Sequence, residues 1–278
     1  MDERVLSAMR AIEASLEAPL SITQLAADCG LSQFHFNRLF RAEAGEPPAS
    51  YARRLRLERA ALRLRGSNAP LGLIAAELGY GSLTAFGRAF AARFGITPLD
   101  WRRTLVSDTV FNPETDKAGP VTIRRVNAFS CISRRYFGGY HKVPSHWDDF
   151  ARAMPPGLQS AAGSFCVGIA YDDPRLTAEE LIRYDCCLVP GAAAQMHARQ
   201  LLQQTGFRAL ATRAGRYAAL EHRGPYSRIE SSYSFLYDHW SPGSRYTMSN
   251  DPALEIYAGP PVSTVQCSLR FTILYPIE

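Results

Sequence analysis

The sequence predicts a multidomain protein: an all-α N-terminal domain of two helix-turn-helix units, then a C-terminal α+β domain of two pseudo-twofold-related modules with antiparallel sheet. Three observations predict this. The 278 residues fit two domains at about 150 residues each. Residues 25–40 recur near residues 74–90, and residues 137–150 recur near residues 223–236. Two repeats of different period in one chain indicate two domains, each assembled from a duplicated unit.

The first repeat aligns LAADCGLSQFHFNRLF (25–40) with IAAELGYGSLTAFGRAF (74–90). Leu25, Ala26 and Gly30 match Ile74, Ala75 and Gly79; beyond an extra Gly81, Ser32, Phe36, Arg38, Phe40, Gly45 and Pro48 match Ser82, Phe86, Arg88, Phe90, Gly95 and Pro98. Each unit reads as two short helices crossing steeply, with a small Ala at the contact and a Gly at the tight turn. Ser32 and Ser82 stand at the N-caps of the second helices. Leu25, Ala26, Cys29, Leu31, Phe36, Leu39 and Phe40 form the inner face of the first unit.

The outer face then offers Gln33, Phe34, Asn37, Arg38 and Arg41 in the first unit, and Leu83, Thr84, Gly87 and Arg88 in the second. Arg can bridge guanine, Asn can bridge adenine, and phenyl or methyl groups can meet thymine in a major groove. Between the units, residues 47–65 read as a helix with Leu55, Leu62 and alanines on one stripe and Arg56, Arg59 and Arg63 on another. Such a helix spans roughly 27 Å. With its flanking turns it is expected to hold two reading helices about 34 Å apart, so that one monomer enters two successive major grooves.

Charge points the same way. Residues 1–105 carry 14 Arg against 10 acidic residues, whereas the remainder is close to neutral in a chain of net charge +5. A basic first domain suits nucleic acid.

These residues resemble the AraC/XylS family of bacterial transcription regulators, and the resemblance covers nearly all of residues 5–105. ELGYGSLTAFGRAFAARFGITPLDWRR follows that family's second-unit signature, including Gly79, Phe86, Arg88, Phe90, Gly95, Pro98 and Trp101. The resemblance implies base reading from the second helix of each unit, by Gln33, Phe34, Asn37 and Arg38 and by Leu83, Thr84 and Arg88, with Ser32 and Ser82 at the helix starts. Leu83, Ala85 and Gly87 replace longer polar residues, so the second unit is expected to supply mainly phosphate contacts.

From about Leu105 a polar stretch with Pro and Gly reads as a linker, giving domains over 1–106 and 121–278 with the linker at 107–120. The second repeat has an offset of 86: Gly138, Tyr140, Val143 and Trp147 match Gly224, Tyr226, Ile229 and Tyr233. Carried downstream, the same offset aligns Ile169 with Glu255, Tyr171 with Tyr257 and Pro174 with Pro260. Each copy reads as a strand, a Gly turn, an aromatic-faced helix and two further strands, which favours antiparallel sheet with the helices on one face. A cleft between the copies is the expected pocket.

This half resembles the GyrI-like effector-binding domain found behind AraC-type domains in regulators of the Rob type. The markers are His222 with Gly224, Pro225 and Tyr226, the YDDP run at 171–174, the LIRYD run at 181–185 and the LEIY run at 254–257. The resemblance implies a pocket for amphipathic, often cationic small molecules with a glutamate at its base, which falls on Glu255. A carboxylate inside a sheet costs several kcal/mol unless paired, and a lipophilic cation against aromatic faces supplies a partner. Trp147 and Tyr233 are the expected walls, with Tyr184 and Tyr257 as further contacts. The competing expectation is a structural Glu255 bonded to an Arg or to backbone.

Two other functions stay open at this point. Some GyrI-like domains resemble hydrolases of strained, cyclopropanoid-type electrophiles, and Glu255 with Tyr184 or Tyr257 would serve as base and proton donor. A protein-interaction module is the third reading. The expected partners are double-stranded DNA and a small-molecule effector, with RNA polymerase as a candidate and the protein acting as monomer or dimer. No cofactor, metal site or membrane segment is expected, nor is there a secretory h-region at the N-terminus. Six cysteines without a CxxC read as free thiols, and the chain is expected to be cytoplasmic.

Overall fold

The computed structural model describes residues 2–67, 69–104, 119–155, 158, 161–204, 206–249, 251–258, 261 and 269–278. The chain divides into two compact units, Met1–Asp108 and Thr109–Glu278. All but the last two residues of the expected 107–120 linker lie outside the described residues, as do Pro260 and Cys267.

The first unit is all helical: α1 (Glu3–Ala14), α2 (Ile22–Asp28), α3 (Gln33–Ala44), α4 (Pro48–Gly66), α5 (Leu71–Glu77), α6 (Leu83–Phe94) and α7 (Pro98–Thr104). The pairs α2–α3 and α5–α6 are the duplicated unit. Ser32 Oγ accepts from His35 N and Ser82 Oγ from Ala85 N, so each serine satisfies a free amide at the start of its helix. Gly45 and Gly95 end α3 and α6 in the left-handed conformation, at φ 77° and 78°. Gly30 and Gly79 make the turns at φ 64° and 74°. At Gly79 a β-carbon would also overlap the Glu17 carbonyl oxygen, which leaves glycine as the only fit.

Phe36, Phe40, Phe86 and Phe90 are fully buried, and Phe40 packs edge-on against Tyr51 of α4, as Phe90 does against Trp101 of α7. The two-stripe reading of α4 does not survive. Tyr51, Ala52, Leu55, Leu57, Ala60, Ala61 and Leu64 are buried around most of its circumference, with Leu62 only partly covered. Two of its arginines are tied into the domain: Arg56 donates to the carbonyls of Leu16 and Ala18 in the turn after α1. Arg54 pairs with Glu46 at 2.7 Å and Glu58 at 2.9 Å, and Arg93 of α6 reaches Glu58 at 3.3 Å. A helix with neighbours on several sides has no wide solvent stripe, so its charges must be paired internally.

The second unit contains β1 (Thr122–Val126), β2 (Ser130–Phe137), α8 (Val143–Ala153), β3 (Phe165–Ala170), β4 (Arg183–Val189), α9 (Gln195–Leu201), β5 (Arg208–Ala211), β6 (Gly215–Arg223), α10 (Ile229–Ser234), β7 (Ala253–Tyr257) and β8 (Arg270–Ile277). The strands form one antiparallel sheet in the order β1-β6-β8-β7-β3-β4-β2-β5. Each module is thus ββαββ, and the modules exchange their first strands: β1 pairs with β6 of the second copy, β5 with β2 of the first. The two exchanged edge strands are short and exposed, which is why their alternation carries little signal.

The duplication is visible in the backbone. Gly138 and Gly224 follow the matching strands β2 and β6 with φ 127° and 128°, and each is followed by a short 3₁₀ turn opened by Tyr140 or Tyr226. Beyond the helices, however, the offset of 86 fails. Arg135 pairs across the ladder with Asp185 and its mate Glu221 with Thr272, so Asp185 corresponds to Thr272, an offset of 87. The same registers map Ile169 onto Ile256 and Gly168 onto Glu255. A slip of one residue exchanges the two faces of a sheet. The mate of Glu255 is therefore Gly168, not Ile169, and the mate of Tyr257 is Ala170, not Tyr171. Ile169 points to the far face, into a cluster with Val167, Leu254 and Tyr217.

Gly168 and Glu255 also face each other directly across β3 and β7. Two residues that are both symmetry mates and ladder partners lie on the pseudo-twofold axis, so Glu255 stands at the centre of the sheet. Cys186 and Cys187 lie on opposite faces, and the five described cysteines are free and buried.

Candidate functional site

The helix-bearing face of the sheet carries the larger core, with Trp147, Phe150, Tyr184, Tyr226, Tyr257, Phe271 and Tyr275 buried in it. Glu255 is fully buried there. Its partners are tyrosine hydroxyls, not an Arg or backbone. Tyr257 and Tyr184, both on strands, donate to Oε2 at 2.6 and 2.7 Å. Tyr233 of α10 donates to Oε1 at 3.1 Å, and Tyr226, in the turn before α10, lies 3.1 and 3.2 Å from the two oxygens. Four hydroxyls thus meet the four lone-pair positions of a carboxylate.

Each donor has its own support. Trp147 Nε1 donates to the Tyr184 hydroxyl at 3.3 Å, so this expected wall acts one bond removed from Glu255. Phe271, the mate of Tyr184, stacks on Tyr257 with ring centres 4.6 Å apart and on Tyr226 at 6.2 Å. His222 at the end of β6 meets the Ser232 hydroxyl through Nδ1 at 2.9 Å and the Pro225 carbonyl through Nε2 at 3.3 Å. It thereby ties down the immediate neighbours of Tyr233 and Tyr226. Burial pushes the His222 ring pKa below its ordinary value, so the neutral ring suits this role.

Burial raises the Glu255 pKa, and the donated hydroxyls of Tyr257, Tyr184, Tyr233 and Tyr226 work against that rise. Burial and then the nearby Glu255 charge push all four phenols well above their usual range, which keeps them protonated as donors. The site is a buried carboxyl group held by neutral donors with, among the described residues, no cation bonded to it. A cavity of about 310 Å³ does lie near the pseudo-twofold axis, but on the opposite face, over Ile169, Leu254 and Tyr217. Glu255 itself has no solvent exposure.

The structure places the expected residues Glu255, Tyr184, Tyr233 and Tyr257 in contact, with Trp147 beside them. Sequence reasoning passed over Tyr226, although the repeat pairs it with Tyr140, and it passed over Gly168 because of the register slip. In the first unit, most of the outer residues of α3 and α6 are open to solvent. Gln33, Phe34, Arg38, Leu83, Thr84 and Arg88 are exposed, with Phe34 at 81% against 0% for Phe36 two residues on. Asn37 is half-buried and its side chain donates to the Gln33 carbonyl at 2.8 Å. Ser32 and Ser82 are occupied as caps.

Two helix-turn-helix units joined to a sheet domain with an aromatic-lined buried acid define a DNA-binding protein with a small-molecule-binding domain. Residues 25–104 match the helix-turn-helix domain family and residues 120–278 the GyrI-like small molecule binding domain. The chain belongs to the AraC family of DNA-binding transcriptional regulators with a GyrI-like domain. It is similar to the regulatory protein SoxS of Escherichia coli K12, 36% identical over 94 residues, covering 34% of this chain and 88% of that one. It is likewise similar to the right origin-binding protein of the same organism, 36% identical over 93 residues, covering 34% of this chain and 32% of that one. An AraC-type transcriptional regulator structure from Chromobacterium violaceum is 30% identical with a TM-score of 0.34, covering 37% of this chain and 91% of that one. No helix among the described residues is long and apolar enough to cross a membrane.

A group whose pKa is raised by folding stabilises the protein below its unfolded pKa, and that contribution is lost as pH rises through the folded value. Glu255→Gln removes the group, so the variant is expected to gain stability relative to the wild type as pH rises from about 4.3, the ordinary glutamate value. Urea unfolding of both proteins at pH 4.5, 6 and 8 checks this. A difference that does not change with pH contradicts a raised Glu255.

Proposed function

We propose that this regulator reads promoter DNA through α3 and α6 and senses an amphipathic cation through Glu255. The observation that carries the sensing half is a fully buried carboxyl group surrounded by aromatic rings and bonded, among the described residues, to neutral hydroxyls and to no cation. An unpaired buried charge is costly. Its retention at the centre of the sheet makes sense when a cation completes it, and the rings of Tyr226, Tyr233, Tyr257 and Trp147 offer faces for the apolar part of such a ligand. In this reading Tyr184 and Tyr257 are hydrogen-bonding contacts and Trp147 a wall behind them.

On the DNA side, Gln33, Phe34, Asn37 and Arg38 read bases in one groove, while Leu83, Thr84 and Arg88 sit in the next with fewer polar contacts. Ser32 and Ser82 start the reading helices. RNA polymerase is the partner through which occupancy alters output. The effector acts by binding the active and inactive states unequally. One monomer carries both reading helices and needs no second copy to engage two grooves.

A second reading rests on the same contacts. Tyr257 and Tyr184 both donate to one oxygen of Glu255, which places proton donors against a base whose pKa is raised. Under that reading a strained electrophile is consumed catalytically.

Lipophilic cations such as tetraphenylphosphonium are expected to raise the unfolding midpoint of the wild type, while neutral isosteres of equal size leave it in place. Equal shifts from both, or turnover of a cyclopropanoid electrophile, would set the cation-sensing reading aside. Arg38→Ala is expected to weaken binding to the preferred promoter site by about 1–3 kcal/mol with little effect on random DNA. Fluorescence anisotropy with both DNAs measures it, and a uniform loss would make Arg38 a phosphate contact.

A further inference from the structure

We infer that Gly168 is a positioning residue for the Glu255 site, a notch in β3 that admits the Tyr184 hydroxyl to the carboxylate. The inference rests on the reading of Glu255 as the ligand's counter-charge, and it names what makes that site possible. A β-carbon at residue 168 would overlap Tyr184 Oη and would lie 2.6 Å from its Cζ and 3.0 Å from Glu255 Oε2. No side chain fits without displacing the hydroxyl that donates to Oε2 at 2.7 Å.

The backbone does not call for glycine here. Gly168 is absent from the glycines with positive φ and pairs regularly with Cys186 on one side and Glu255 on the other. Glycine inside a strand normally weakens it, because it adds chain entropy and packs nothing. Its presence in a central strand therefore marks a space that another group occupies. That group is identified: Tyr184 comes from the adjacent strand β4 and crosses above residue 168 to the partner residue on β7.

The symmetry of the fold explains why the notch is needed. Because Gly168 and Glu255 are mates on the axis, two acids there would face each other at ladder distance, and like charges so placed repel. One module supplies the acid, and the other supplies the empty position and the tyrosine that fills it. Tyr184 is correspondingly replaced in the second module by Phe271, which has no hydroxyl to donate.

The test is a double-mutant cycle on the full chain, with urea unfolding as a readout that needs no ligand and tetraphenylphosphonium titration as a second. Gly168→Ala is expected to lower the midpoint in the wild-type background, although alanine is ordinarily the better strand residue. In the Tyr184→Leu background, where the overlapping Tyr184 hydroxyl is gone and only the 3.0 Å approach to Glu255 Oε2 is left, the same change is expected to be neutral or stabilising. Gly168→Ala is also expected to weaken cation binding at least tenfold. Should Gly168→Ala alone fail to fold, folding of the double variant supports the notch and its failure to fold overturns it. Equal losses in both backgrounds, or a gain in both, overturn it as well. A cycle that behaves as expected in a protein that binds no cation upholds the notch and overturns the effector reading instead.

Discussion

The second domain is organised around one carboxylate held where a carboxylate is hardest to keep. Glu255 has no solvent contact and lies on the central pair of strands, and among the described residues it is met by hydroxyl dipoles and no cation. Four tyrosine hydroxyls converge on it from β4, β7, α10 and the turn before α10. Those positions in turn require Trp147 under Tyr184, Phe271 against Tyr257 and Tyr226, and His222 behind the start of α10. Much of the aromatic core on this face can be traced outward from that single group.

Duplication supplies the scaffold and its breaking supplies the chemistry. The two modules share their strands, their glycine turns and the tyrosine that opens each 3₁₀ turn. They part at the positions that face the axis: Gly168 against Glu255, Tyr184 against Phe271, Trp147 against Tyr233. The helix-turn-helix repeat behaves in the same way. Its caps, turn glycines and buried phenylalanines agree almost residue for residue, while the exposed Gln33 and Phe34 and the half-buried Asn37 become Leu83, Thr84 and Gly87. Residues that hold a fold must satisfy the same packing twice, and residues outside that shared packing have no such constraint.

This division explains what the sequence made legible. Both repeats, the capping serines and most elements follow from local pattern, because caps, turns and apolar periodicity are local. Glu255 stood out as an acid in an apolar strand, and three of its four tyrosines were found. The misread parts depend on non-local geometry. The extra residue between α10 and β7 of the second module left the 86-residue alignment plausible by eye yet exchanged the two sheet faces, which hid Gly168. The edge strands β1 and β5 are exposed and pair outside their own module, so neither composition nor order announces them. In α4, Arg56, Arg59 and Arg63 look like a solvent stripe, but Arg56 donates to the Leu16 and Ala18 carbonyls and Arg63 pairs with Glu77 at 3.7 Å.

The central claim is that Glu255 serves as the counter-charge of a bound cation. Calorimetric titration of tetraphenylphosphonium into the wild type and into Glu255→Gln, repeated in two buffers of different ionisation enthalpy, tests it most directly. Burial raises the Glu255 pKa, and a cation beside it lowers that pKa again. The account therefore predicts wild-type binding accompanied by proton release near the pH where the carboxyl titrates, with both affinity and proton release lost in the variant. Binding of equal strength in Glu255→Gln, or binding without any change in protonation across that pH range, would contradict it.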